Sequence, residues 1–300
     1  GYPADTGLPG WGVSGAIRSE EPMQQRARAA VADEVQRFIA TGASDPLFSA
    51  WDGQDIMDRM ERGNREILAA LVDEVRRRAG TAAMPGPLEG IDLAALTRQK
   101  VEPMVRGLFP KANQDAVLAL VERSVVVVTL DTLESAVAAC ADPRSAWNLA
   151  NLFLGSVGAK LLSKDAPQIV GFSEDTTCFV SLDCFRHDEP FTDVVVHEVA
   201  HVFHNCRRRT AGLTETPTRQ WLLDIDYRKR ETFAYACEAY ARILARAARA
   251  ADRRALAGEF SGSAIADSRA EPAEVADLVR EACSQRYGWK AILAHCRPAR

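Results

Sequence analysis

Between Glu20 and about Arg78, apolar side chains return at helical intervals. Val31, Val35, Phe38 and Ile39 fall on one stripe, Ile56, Met60, Ile67, Leu71 and Val75 on another, and Ser44-Asp45-Pro46 breaks the two. Pro85 and Pro87 make residues 80–90 a loop and a candidate boundary, after which helical spacing resumes over residues 91–108 and 113–122. Residues 1–19, rich in Gly and Pro and without period, read as a flexible arm, which leaves residues 20–122 as an N-terminal helical subdomain.

The texture of the remaining chain, residues 123–300, is more mixed. Val125 to Leu130 is β-branched and bounded by polar residues, as a short buried strand would be. Leu133 to Ala141 and Ala146 to Leu162 have helical spacing. Ile169 to Phe172 and Thr176 to Leu182 have strand chemistry and are separated by Ser173-Glu174-Asp175, which predicts a small hairpin. Asp193 to Asn205 reads as a helix with Thr192 as N-cap, apolar around most of its circumference and therefore buried. A long Ala- and Arg-rich helix is expected over Arg228 to Ala251, another over Pro272 to Gln285, and a last helical turn around Trp289, Ile292 and Leu293 docks back on the core. The fold class is mainly α, an α+β arrangement with a small antiparallel sheet. No internal repeat is visible.

Composition narrows the partners. The formal net charge is −4, with 37 basic and 41 acidic residues interspersed, so there is no broad basic surface and nucleic acid is not an expected partner. No aliphatic run, the four valines Val125 to Val128 included, approaches the roughly 20 residues of a membrane-spanning helix, so no membrane is expected either. Gly1-Tyr2-Pro3-Ala4-Asp5 lacks the basic start and apolar stretch of a secretory leader. Cys140, Cys178, Cys184, Cys206, Cys237, Cys283 and Cys296 are odd in number and form no CxxC pair, which favours reduced thiols and a cytoplasmic location.

The chemistry concentrates in the helix at 193–205. His197-Glu198-Val199-Ala200-His201 is an HExxH motif, and residues four apart share one helix face, so both imidazoles can reach one tetrahedral cation such as zinc (Zn2+). Glu198, beside the first ligand, stands where a carboxylate can take a proton from water activated by that cation. Burying unpaired His and Glu among valines would cost on the order of several kcal/mol without a metal. Catalytic zinc ordinarily takes three protein ligands, so one more must come from elsewhere. Glu231 and Glu238, seven apart on the next helix, share a face and are the best sources; His204, three residues beyond His201, is a rival, although three residues on one straight helix rarely close a tetrahedron.

Over roughly residues 176–245 the chain resembles the gluzincin metallopeptidases, whose HExxH helix is followed by a second helix with a glutamate ligand in an ExxA setting, matched here by Glu231 to Ala234. The resemblance implies a zincin-like pair of metal-binding helices in the catalytic domain, 123–300, and Glu231 as third ligand. Many gluzincins place Asp or Asn directly after that Ala to support the first histidine, whereas this chain has Tyr235. Glu238, one turn on, either takes over the orienting role or is itself the ligand; His204 is either an orienting or substrate-contacting group or the rival ligand. Zincin chemistry also needs a donor for the developing oxyanion, and of Tyr227, Tyr235 and Tyr240 the one nearest Glu231 is Tyr235. In the same family pattern an edge strand above the metal helix pairs with an extended substrate, a place that Thr176 to Leu182 fits. His187, in a polar loop before the active helix, is a candidate for lining the cleft, and His295 is peripheral.

The leading expectation is a zinc-dependent hydrolase of a peptide or amide bond. Two others stand beside it: the same HExxH scaffold acting on a small molecule or modified peptide in a biosynthetic pathway, and a binding protein stabilised by a structural metal. An intact Glu198 counts against the last, because a structural site has no use for a base beside a ligand.

Overall fold

The structure is a computed structural model, and it describes residues 20–80, 92–185, 188–263, 265 and 267–299. The arm at 1–19, most of the loop at 80–90 and His187 lie outside these residues. Among them, eleven α-helices surround a three-stranded sheet, a mainly helical α+β fold.

Helices α1 (Glu20–Thr41) and α2 (Ile56–Ala79) match the two apolar stripes, and Asp55 caps α2 by accepting from the Met57 and Asp58 N–H groups. Then follow α3 (Leu93–Leu108), α4 (Lys111–Ser124), β1 (Val125–Val127), α5 (Leu133–Ala139) and α6 (Pro143–Ser156). The last ends earlier than its apolar run because the chain turns at Gly158, with φ of +67°, a left-handed conformation that glycine adopts without penalty. The hairpin is present as β2 (Gly171–Glu174) and β3 (Thr177–Val180), closed by Asp175 and Thr176; Asp175 takes a φ of 49°, which Asp tolerates better than most residues.

Strand order is β1-β3-β2, with β3 antiparallel to β2 and parallel to β1. The hairpin is antiparallel as expected, and β1 makes the sheet mixed. The segment expected to be the edge strand, Thr176 to Leu182, is instead the central one. Val125 to Val127 pairs with Cys178 to Val180 and takes its outer side, so β2 is left at an edge.

Downstream lie α7 (Val194–Asn205), α8 (Arg230–Arg246), α9 (Ala250–Glu259), α10 (Pro272–Ser284) and α11 (Gly288–Cys296). The single long helix expected over 228–251 is two, broken at Ala247. Arg253 stabilises the break by donating from Nε to the Ala247 carbonyl (2.8 Å) and from Nη2 to that of Ala248 (2.8 Å), so the carbonyls freed at the helix end are paired. Apolar side chains of α3 and α4 pack with α7, α8, α10 and α11 in one buried cluster; those of α1, α2, α5 and α6 form another. Helix α11 docks through Trp289, which lies so close to Gly107 of α3 that any Cβ there would stand 2.0 Å from its ring.

Candidate metal centre

α7 and α8 lie side by side in opposite directions: His197 faces Glu238, His201 faces Glu231, and Asn205 faces Arg230. The cap of α7 is Asp193 rather than Thr192. Its side chain accepts from the Val196 N–H (3.3 Å) and ion-pairs with Lys100 of α3, which fixes the start of the metal helix.

Three donor atoms converge from these two helices. His197 Nε2 and His201 Nε2 are 3.2 Å apart, and Glu231 Oε2 lies 3.4 Å from the second and 3.7 Å from the first. Ligand atoms about 2.1 Å from a tetrahedral ion stand about 3.4 Å apart, so the three span one face of such a tetrahedron. All three residues line a cleft of about 1150 Å³. Two imidazole lone pairs and a carboxylate oxygen aimed at one point suit a borderline cation such as zinc.

The surroundings favour positive charge at this point. Burial alone would depress the His197 imidazolium, but the carboxylates of Glu231 and Glu238 outweigh it and lift its pKa to about 10. Burial would likewise raise the Glu231 carboxyl, yet His197, His201 and Arg269 hold it well below the usual carboxylate range. A site that attracts a proton this strongly in the absence of metal also attracts a cation.

Glu238 and His204 stand outside this group of three donors and contact the two histidines at Nδ1. Glu238, 4% exposed, accepts from the Asp193 N–H through Oε1 (2.7 Å) and faces His197 Nδ1 through Oε2 (3.1 Å), so one carboxylate ties the cap of α7 to the first histidine. His204 sets its Nε2 3.0 Å from His201 Nδ1 and its Nδ1 3.0 Å from Asn205 Oδ1. Burial, reinforced by His201 and Arg230, pushes its pKa down to about 3, so it is neutral. A consistent chain has His201 Nδ1–H donating to His204 Nε2 and His204 Nδ1–H donating to Asn205, which leaves His201 Nε2 free to ligate.

Glu198 is buried beside the cluster, with Ser173 of β2 close enough to its carboxylate to favour the charged form. Desolvation raises its pKa, only partly offset by His197 and His201, a direction that suits a group shuttling a proton near neutrality. Gly171 permits the approach of β2: a Cβ there would stand 2.7 Å from Val194 and 3.2 Å from Glu198 Cγ. Tyr235 lines the cleft with its ring centroid 4.5 Å from that of His197, and burial raises its phenol to about 12, so it stays a donor at neutral pH. Tyr227 lines the cleft and is 81% exposed, whereas Tyr240 packs against Trp289 away from it. His295 pairs with Glu274, outside the cleft.

Sequence reasoning missed Ser173 as a neighbour of Glu198, and Arg269. The latter forms ion pairs through Nη2 with Glu231 Oε1 (2.8 Å), the oxygen turned away from the histidines, and with Asp267 (2.6 Å). Neither belongs to a motif. Each reaches the site by tertiary folding, which no local spacing signals.

Comparison with protein-family models, curated proteins and solved structures finds no match to this chain. What can be said of its chemistry rests on the site itself. Among the described residues no helix is long and apolar enough to cross a membrane.

Proposed function

We propose that the chain is a zinc-dependent hydrolase of peptide or amide bonds built on the gluzincin pattern, with His197, His201 and Glu231 as ligands and Glu198 as general base. The observation that carries this reading is the convergence of the three donor atoms at tetrahedral spacing, with a buried carboxylate beside them and a cleft in front. Bound there, zinc would supply the Lewis acidity that lowers the pKa of water and polarises a carbonyl. Glu198 takes the proton of the attacking water and passes it to the leaving amine. Glu238 and His204 hold the two imidazoles in the tautomers that turn Nε2 toward the metal. Tyr235 donates to the oxygen on which charge develops. Strand β2, at the sheet edge and along one wall of the cleft, offers main-chain groups to an extended peptide.

The test is metal content followed by peptide hydrolysis, on the natural chain and on Glu198→Gln. About one zinc per chain is expected in both, with the rate lowered by about 10²- to 10⁴-fold in the variant. A chain that takes up no metal sinks the reading, and equal rates assign Glu198 another role.

A further inference from the structure

The cleft is not electrically uniform along α7. At the end beyond His201, where α7 finishes and α8 begins, its wall holds Tyr227, Arg228 and Arg230 beside His204 and Asn205. The third arginine of the cleft wall, Arg269, is matched to acids, Asp267 and Glu231. Among the described residues, neither Arg228 nor Arg230 forms an ion pair with an acid. Of the acids closest in sequence, Asp226 commits Oδ1 to the backbone N–H of Arg228 (2.9 Å), and Glu231 faces His197, His201 and Arg269.

Arg230 carries the stronger signal. Its Nε is buried without a hydrogen-bond partner, its Nη1 reaches Asn205 Oδ1 only at 3.5 Å, and its guanidinium sits 5.2 Å over the ring of the exposed Tyr227. A buried N–H of a cation without an acceptor costs free energy that the fold would normally recover with a partner. Two guanidinium groups, one with an unfilled donor, present the fork geometry that matches a carboxylate.

We propose that Arg228 and Arg230, backed by Tyr227, form a subsite for a carboxylate of the substrate. The proposal deepens the hydrolase reading by naming the class of peptide it takes. Asn205, beside Arg230, lies four residues along α7 from His201, about 6 Å at 1.5 Å per residue. That distance is roughly two residues of extended chain. The carboxylate is therefore either a peptide C-terminus close to the bond attacked or the side chain of an acidic residue next to it.

The subsite is tested without reference to activity. Arginine Nε–Hε signals of the full chain, followed by nuclear magnetic resonance, are titrated with N-acetylglycine and, separately, with N-acetylglycinamide. The expected result is a saturable shift of the Arg230 signal by the acid alone, and loss of acid binding by at least tenfold in a doubly substituted chain, Arg228→Gln with Arg230→Gln, whose melting curve is checked for intact folding. An Arg230 signal that ignores the acid, or moves equally with the amide, overturns the proposal. The source of the carboxylate is then read from peptide mixtures with free or amidated C-termini. Cleavage confined to the last residues of free-acid peptides assigns the terminus; cleavage beside Asp or Glu in both sets assigns the side chain; indifference to both overturns the proposal. A chain that binds the acid yet holds no zinc retains the subsite and loses the hydrolase reading, so the two failures are distinct.

Discussion

At the level of single residues, the proposed centre depends on how His197 and His201 are held. Glu238 joins Asp193 N–H to His197 Nδ1, so its replacement should misalign an imidazole without removing a ligand. Glu238→Gln keeps the shape and drops the charge; zinc affinity, measured by competition with a chelating dye, should fall about 10- to 100-fold, as for other orienting partners of ligand histidines. Unchanged affinity would mean that the ring is held by packing against Tyr235 alone. The same residues mark what could be read from sequence. His197, Glu198 and His201 were legible because helix periodicity fixes their relative positions, and Glu231 because a second local pattern, ExxA, accompanies it. Glu238 and His204 were legible as neighbours of the site, but whether each would ligate or orient depends on the spacing and angle of two helices, which no one-dimensional pattern encodes. Arg269 was illegible for that reason in stronger form: its loop carries no motif, and only the path through α9 brings it over Glu231.

Among the elements, existence was easier to foresee than ends or neighbours. Strand chemistry announced β2 and β3, but which of them lies at the edge is decided by β1, whose parallel pairing with β3 is a long-range event. The Ala- and Arg-rich run after Arg228 has no Pro or Gly to mark its break, and the Ala247 and Ala248 carbonyls exposed there are taken up by the Arg253 side chain, six and five residues on. Arginines also join elements elsewhere. Glu74 of α2 receives Arg77 and Arg78, and Arg78 reaches on to the Lys160 and Leu161 carbonyls beyond α6. The hydrogen bond from Arg77, together with Arg78 and against the opposing effect of burial, lowers the Glu74 pKa from 4.5 to about 2. A carboxyl whose folded pKa is depressed stabilises the fold above its unfolded pKa, and that stability is lost as pH falls through the folded value. Glu74→Gln should therefore cost about 1 kcal/mol in urea unfolding at pH 7. The gap between natural and variant chains should hold down to about pH 4.5 and close toward about pH 2. A gap that stays constant through pH 3 would show that the pair contributes by packing rather than by charge.

Across the whole molecule, the sheet is a thin layer between two helical clusters, and β3 serves both. Cys178 packs into the cluster of α7 and α8, and its neighbour Phe179 into the cluster of α2 and α6, because successive side chains of a strand point to opposite faces. Phe179 is 1% exposed and lies against Phe172 of β2 with ring centroids 5.2 Å apart, in register across the hairpin. Strand β2, whose Gly171 packs toward Glu198, is thus held in place from the side opposite the candidate metal site. Replacing Phe179 by Ala should cost about 3–5 kcal/mol, the usual loss for a large buried aromatic. Because the lesion sits on the shared strand, hydrogen exchange followed by mass spectrometry should show the opening free energies of α2 and α6 falling together with those of α8 and α10. Exchange that quickens only in α2 and α6 would show two clusters that unfold independently. The metal helices would then draw their rigidity from α3, α10 and α11 alone, and the distant half of the chain would have no part in holding the site.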